Sequence, residues 1–147
     1  YGITTLPCSD GYICFGISTE YQWERLCAMI GRTDLIDDPD YDTRIKRADN
    51  SEYLDTLVTE WIADRTRQEI FVETSEIWGL PTAPILDMAE VVKDDQFRYR
   101  GIFYDQDLGE SQVVTFPTYP YIASKMKPNI GLPPSLGEHT EDFLATN

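Results

Sequence analysis

From Leu6 to Gly31 the hydrophobic positions first alternate and then change period. Leu6, Cys8, Ile13, Phe15 and Ile17 fall on every second position around Asp10-Gly11. That dipeptide favours a two-residue hairpin turn, because both central residues of a type I′ turn take positive φ. The turn predicts that Ser9 pairs with Tyr12, Cys8 with Ile13 and Leu6 with Phe15. The alternating apolar residues then share one face of the ribbon. Ser18 or Thr19 can cap a following helix, in which Trp23, Leu26, Cys27 and Ile30 recur at i, i+3, i+4 and i+7. Gly31 is placed to end it in the left-handed conformation. Ribbon face and helix stripe each need the other to leave water.

The pattern continues as short elements. Thr33–Ile36 predicts a helical turn stopped by Pro39. A helix from about Arg44 to Ala63 is predicted from the stripe Leu54, Leu57, Val58, Trp61 and Ile62. Thr66 and Glu69 form a capping box. It opens a helix with an inner face of Ile70, Phe71, Thr74, Ile77 and Trp78, ended by Gly79. The prolines Pro81 and Pro84 confine residues 80–85 to an edge strand or a connection. Asp87 with Glu90 caps a short helix through Val92, and Asp94 or Asp95 caps another that Gly101 closes. Ile102–Asp105 and Gln112–Phe116 predict a second hairpin with Asp107-Leu108-Gly109 at its tip. Beyond Pro117 the chain is proline-rich, with a last helix starting near Thr140. The expected class is α+β: a small antiparallel sheet from two hairpins packed with several helices.

Length and charge narrow the partners. At 147 residues the chain is one domain, or one domain with an appendage. The net charge of -14 is spread evenly, as -4, -6 and -4 over residues 1–50, 51–100 and 101–147. Such a surface repels phosphate backbones, so no nucleic-acid partner is expected. No apolar run approaches the ~18 residues of a membrane span, so no membrane partner is expected either. No signal-peptide pattern is present. Positive charge clusters only at Arg44/Lys46/Arg47 and Lys125/Lys127. The three cysteines, Cys8, Cys14 and Cys27, form neither a disulfide framework nor a zinc pattern. They read as small buried hydrophobes in a reducing, cytoplasmic compartment.

Candidate chemistry is sparse. Asp38, Asp40 and Asp42 with Asp49 imitate a calcium loop. However, Thr43 replaces the required glycine, Asp49 replaces the bidentate glutamate, and three bases crowd the loop. A solvated acidic turn, with Thr43 or the last aspartate capping the next helix, fits better. His139, the single histidine, lies beside Glu138 in a turn with no nucleophile in sequence to partner it. Trp23, Trp61 and Trp78 each lie on an apolar stripe, so they read as core rather than as a stacking set. No catalytic residue, no metal ligand and no specific cofactor-binding residue is assigned.

The ordered series of motifs resembles the family III CoA-transferases. This group includes formyl-CoA, carnitine-CoA and bile-acid-CoA transferases and the α-methylacyl-CoA racemases. The residues that carry the resemblance are Asp10-Gly11, Gln22-Trp23, Leu26-Cys27, Gly31-Arg32, Asp34-Leu35, Asp38-Pro39, Tyr41 and Arg47/Asn50. Further on come Gly79-Leu80-Pro81-Thr82-Ala83-Pro84-Ile85, Asp95-Gln96, Arg100-Gly101 and Leu136-Gly137-Glu138-His139-Thr140. Ile122-Ala123-Ser124-Lys125 only loosely follows the family's K-L-S-like stretch.

The resemblance implies that residues 1–124 are the family's small domain. Residues 125–147 would be a linker and the return into a Rossmann-like domain outside this chain. The starting Tyr1 and the capped helix start near Thr140 fit a piece of a longer polypeptide. The implied activity of the whole protein moves CoA between carboxylic acids through an aspartyl-linked intermediate, with coenzyme A and acyl-CoA as substrates and no covalently bound cofactor. Full-length members form interlocked homodimers. The catalytic aspartate would lie upstream of Tyr1, so the chain alone is expected to be inactive. The alternatives are an acyl-CoA racemase or isomerase of the same family, working by proton transfer at the α-carbon, or a non-catalytic acidic interaction module.

Overall fold

A computed structural model describes residues 2–109, 112–121, 123–126 and 131–145. Of the residues named from the sequence, Tyr1, Ile122 and Lys127 lie outside the described residues. The chain divides into two compact units, residues 1–85 and residues 86–147.

The first unit is built on a three-stranded antiparallel sheet. Strands β1 (Ile3–Cys8) and β2 (Gly11–Gly16) form the predicted hairpin. Strand β3 (Thr82–Ile85) pairs along the other side of β2, so β2 is central and the proline-bearing segment is an edge strand. The hairpin register differs from the expectation. Cys8 faces Gly11, Leu6 faces Ile13 and Thr4 faces Phe15, so the turn residues are Ser9 and Asp10. The tip is set by tertiary bonds: the Ser9 N–H donates to the Arg65 carbonyl at 3.0 Å, and Asp10 Oδ1 accepts the Arg67 N–H at 2.7 Å. Because the partners move by two positions in total, the facing of every side chain survives. Leu6, Ile13 and Phe15 are 6%, 0% and 0% exposed.

Helix α1 (Glu20–Met29) starts on a capping box between Thr19 and Gln22 and buries Trp23, Leu26, Cys27 and Met29. Gly31 follows at φ +72°. A 3₁₀ turn spans Thr33–Leu35. The single helix expected over residues 44–63 is two: α2 (Arg44–Asp49) and α3 (Ser51–Ile62). They part at Asn50, whose side-chain amide donates to the Lys46 carbonyl at 3.0 Å and competes with the helical bond there. Leu54, Val58 and Ile62 from α3 join the same core as Phe15 and Trp23.

Helix α4 (Arg67–Phe71) begins on the Thr66–Glu69 capping box and widens into a π-helical segment, Val72–Ile77. There the Trp78 N–H reaches back five residues to the Glu73 carbonyl at 3.1 Å. The wider turn rotates Ile77 off the inner face, where the 3.6-residue pattern placed it. Ile77 is 66% exposed, whereas Ile70 and Thr74 are buried and Phe71 and Trp78 half-buried.

The second unit holds α5 (Met88–Val91), α6 (Asp95–Tyr99), the β4 (Phe103–Asp107) and β5 (Val113–Pro117) hairpin, and α7 (Thr140–Ala145). Asp87 with Glu90 and then Asp94 supply the caps for α5 and α6. The hairpin forms its own two-stranded sheet. Phe97 meets Phe103 edge-on at 6.5 Å and Tyr104 stacks on Phe116 at 6.0 Å. No described side chain of this unit is fully buried, which is the weak position of a two-stranded ribbon with one helix turn against it.

Candidate functional site

The positive charges singled out in the sequence do not form an open anion site in the first unit. Lys46 pairs with Asp42 at 2.9 Å. Arg47 is buried, at 3% exposure, and makes two bonds to the Glu20 carboxylate at 2.6 and 2.8 Å. It also donates to the Tyr41 carbonyl at 3.2 Å, and its guanidinium lies 5.0 Å from the Trp23 ring centroid. This bond holds Glu20 below the usual carboxylate range. Lysine could not make the same fork, because the guanidinium spreads its donors in one plane.

The acidic turn is likewise spent on structure. Asp38 Oδ1 accepts the Asp40 N–H at 2.9 Å, and Thr43 caps α2. Among the described residues, no three His, Cys, Asp or Glu side chains gather as a metal site.

His139 stands in the turn before α7, and its carbonyl accepts the Phe143 N–H at 3.0 Å. The neighbouring Glu138 carboxylate accepts the Ser135 N–H at 2.6 Å. The glutamate is therefore used as a turn brace.

Cys8 and Cys14 are half-buried rather than buried as expected, and all three cysteines are free. Their strand positions put Cys8 and Cys14 on opposite sheet faces. Cys8 Sγ lies 3.6 Å from Asp10 Oδ1, and burial raises its thiol. Cys27 is fully buried and its thiol is pushed up to about 12 by desolvation. That disfavours the nucleophilic thiolate.

The tryptophans divide. Trp23 is buried in the core and stacks with Tyr41 at 6.5 Å, whereas Trp61 and Trp78 are half-buried at its margin. Arg65 lies 4.0 Å over the Trp61 ring. Arg25 reaches the Trp78 carbonyl, and the Ile77 carbonyl at 3.2 Å, closing the end of the π segment. Nothing in the local sequence around Arg25 announces a partner more than fifty residues away.

The second unit contains a recess of about 490 Å³ between the end of α6 and the chain leaving β5. Arg100, Gly101, Ile102 and residues 117–121 line it. In the sequence this stretch reads only as irregular and proline-rich. Its one signal was the spacing of Tyr119 and Tyr121 around Pro120.

Residues 2–140 match the family model described as CoA-transferase family III. The chain belongs to this family. A succinate–glutarate CoA-transferase of Agrobacterium fabrum is 28% identical over 142 residues, covering 95% of this chain and 35% of that protein. A formyl-CoA:oxalate CoA-transferase of Rhodopseudomonas palustris is 28% identical over 122 residues, covering 83% and 28%. Among solved structures, a CaiB/BaiF family protein from Brucella suis superposes with a TM-score of 0.78 at 28% identity. That match covers 98% of this chain and 37% of the other. A Mycobacterium tuberculosis structure shares the fold at a TM-score of 0.78 and 24% identity, covering 95% and 39%. The chain thus spans about a third or less of the length of the curated relatives named here.

Proposed function

We propose that this chain is the small-domain part of a longer CoA-transferase that moves coenzyme A between two carboxylic acids. The observation that carries the reading is the 28% identity to named CoA-transferases over up to 95% of the chain. Residues 1–124 make up the small domain, and 125–147 lead into a larger Rossmann-like domain. Among the described residues, the carboxylates with resolved partners serve as caps, braces and ion-pair partners. On this reading the reacting carboxylate belongs to another part of the protein.

An aspartate there attacks the acyl-CoA thioester carbonyl and expels the CoA thiolate. The thiolate then attacks the aspartyl carbonyl of the mixed anhydride and releases the first acid as its carboxylate. The aspartyl–CoA thioester passes CoA to the second acid by the same two displacements in reverse order. Splitting one transfer into displacements at a single carboxylate lowers each barrier. The apolar side chains left exposed in the second unit, Leu136, Phe143 and Leu144, favour burial against further protein. The whole protein works as an interlocked homodimer in the cytoplasm, without nucleic acid or membrane.

Incubating the full-length protein with an acyl-CoA and a second, isotope-marked carboxylic acid tests this. CoA should appear on the marked acid by mass spectrometry, and the 147-residue chain alone should give none. Deuterium incorporation at the α-carbon without CoA exchange would mean a racemase instead. Transfer by the isolated chain would overturn the division of labour.

A further inference from the structure

The helix that begins at Arg67 changes its winding part-way along. From Val72 to Ile77 it is a π-helix, with the Trp78 N–H on the Glu73 carbonyl at 3.1 Å. This form is rare, and side chains that insert into the regular ladder hold such breaks. Three do so here. Thr74 Oγ1 donates to the Ile70 carbonyl at 2.7 Å, and the Ser75 hydroxyl donates to the Phe71 carbonyl. At the far end Arg25, from α1, bonds the Trp78 carbonyl through Nε and the Ile77 carbonyl through Nη2 at 3.2 Å. Of the three, Arg25 alone comes from another element. Its Nη1 also donates to the hydroxyl of the exposed Tyr21 at 2.5 Å, so the guanidinium lies within reach of solvent.

The winding decides where Ile77 points. Counted from Ile70 and Thr74, both fully buried, a 3.6-residue helix brings position 77 to the inner face. In the π form Ile77 is 66% exposed. Turning it inward removes apolar surface from water, whereas holding it outward keeps two bonds from a charged donor, and these gains are of similar size. The ends of the segment are fixed: Thr74 and Leu80 are both buried, and the Leu80 N–H donates to the Thr74 carbonyl at 2.8 Å. Between them Gly79, at φ +62° with open space where a Cβ would stand, is a joint able to absorb a change of winding.

We propose that residues 74–79 form a two-register switch, held in its π state by Arg25. With Arg25 on the two carbonyls, Ile77 is displayed on the surface. Without it the segment rewinds as an α-helix and Ile77 turns toward the core. By linkage, an apolar contact made to Ile77 stabilises the π state, and an anion that draws Arg25 off its carbonyls favours the α state.

Reporter thiols read the register. Ile77→Cys and Glu76→Cys are made separately, each with Arg25, Arg25→Lys or Arg25→Met, and iodoacetamide rates are taken site by site by peptide mapping. Methionine keeps an unbranched stem of similar reach and removes the donors. Glu76 is exposed in the π form, and a 3.6-residue helix also points position 76 outward, so it serves as the control. With Arg25 in place both thiols should react readily. With Arg25→Met the rate at position 77 should fall about tenfold, as the displayed register becomes a minor population, while the rate at position 76 stays the same. Arg25→Lys should fall between, because it keeps the charge without the fork. Circular dichroism and a cooperative urea melt show that each chain folds. If Arg25→Met does not fold, Arg25→Lys carries the test by the same fall at position 77 alone. An unchanged rate at position 77 in the folded variants overturns the proposal. A rise at both positions also overturns it, because the segment would then merely fray.

Discussion

Asp10 at the tip of the first hairpin caps a helix that begins 57 residues later: its Oδ1 accepts the Arg67 backbone N–H at 2.7 Å. That bond is the main reason its carboxyl sits below the usual range. Its Oδ2 also lies 3.6 Å from the Arg67 guanidinium. Asp10→Ala should therefore lower the urea midpoint without changing the slope. Because the folded carboxyl is the more acidic one, its contribution is full above the unfolded aspartate value of about 3.9 and drains as pH falls through the folded value. The difference in midpoint between wild type and variant should shrink on acidification. A gap that widens instead would show that the bond does not favour the charged form.

Glu20 and Arg47 should respond unequally to removal. Arg47 is 3% exposed while the Glu20 side chain is 65% exposed. Glu20→Ala strands a buried guanidinium with only the Tyr41 carbonyl and the Trp23 ring, at a cost of about 3 kcal/mol. Arg47→Met removes the buried charge, fills similar space and leaves Glu20 in water, so it should cost clearly less. Paired urea melts decide this, and a larger loss for Arg47→Met would refute the asymmetry.

Gly11 should not tolerate a side chain. Its φ of +149° lies where L residues are rarely found, and an added Cβ would stand 3.1 Å from Arg67 Nε. Gly11→Ala should cost about 1–3 kcal/mol. Gly31→Ala, at φ +72° with open space around it, should cost roughly 1–2 kcal/mol from backbone strain alone. Equal stability of Gly11→Ala and wild type in thermal melts would contradict the geometry.

Cys27 should be silent toward alkylation in the folded protein, while Cys8 and Cys14 react. Burial both blocks access to its thiol and raises it to about 12. Peptide mapping after iodoacetamide at mild alkaline pH should find Cys27 modified only in urea. Labelling of Cys27 at the Cys14 rate under native conditions would place it outside the core.

The sequence by itself determined which segments are strands and helices, where most caps fall, and which face of each element is apolar. These depend on neighbours within one turn or one strand repeat: Thr19 with Gln22, Thr66 with Glu69, the alternation of Ile13, Phe15 and Ile17. The motif order also carried the family. Tertiary structure decided the hairpin register, through Arg65 and Arg67 holding Ser9 and Asp10. It decided the break at Asn50 and the π turn that expels Ile77, since both are held by bonds that a regular helical pattern does not contain. It turned Arg47 inward and left Arg100 facing an aromatic recess. The fate of a charged side chain depends on which distant group folding brings within 3 Å, and no local period records that distance.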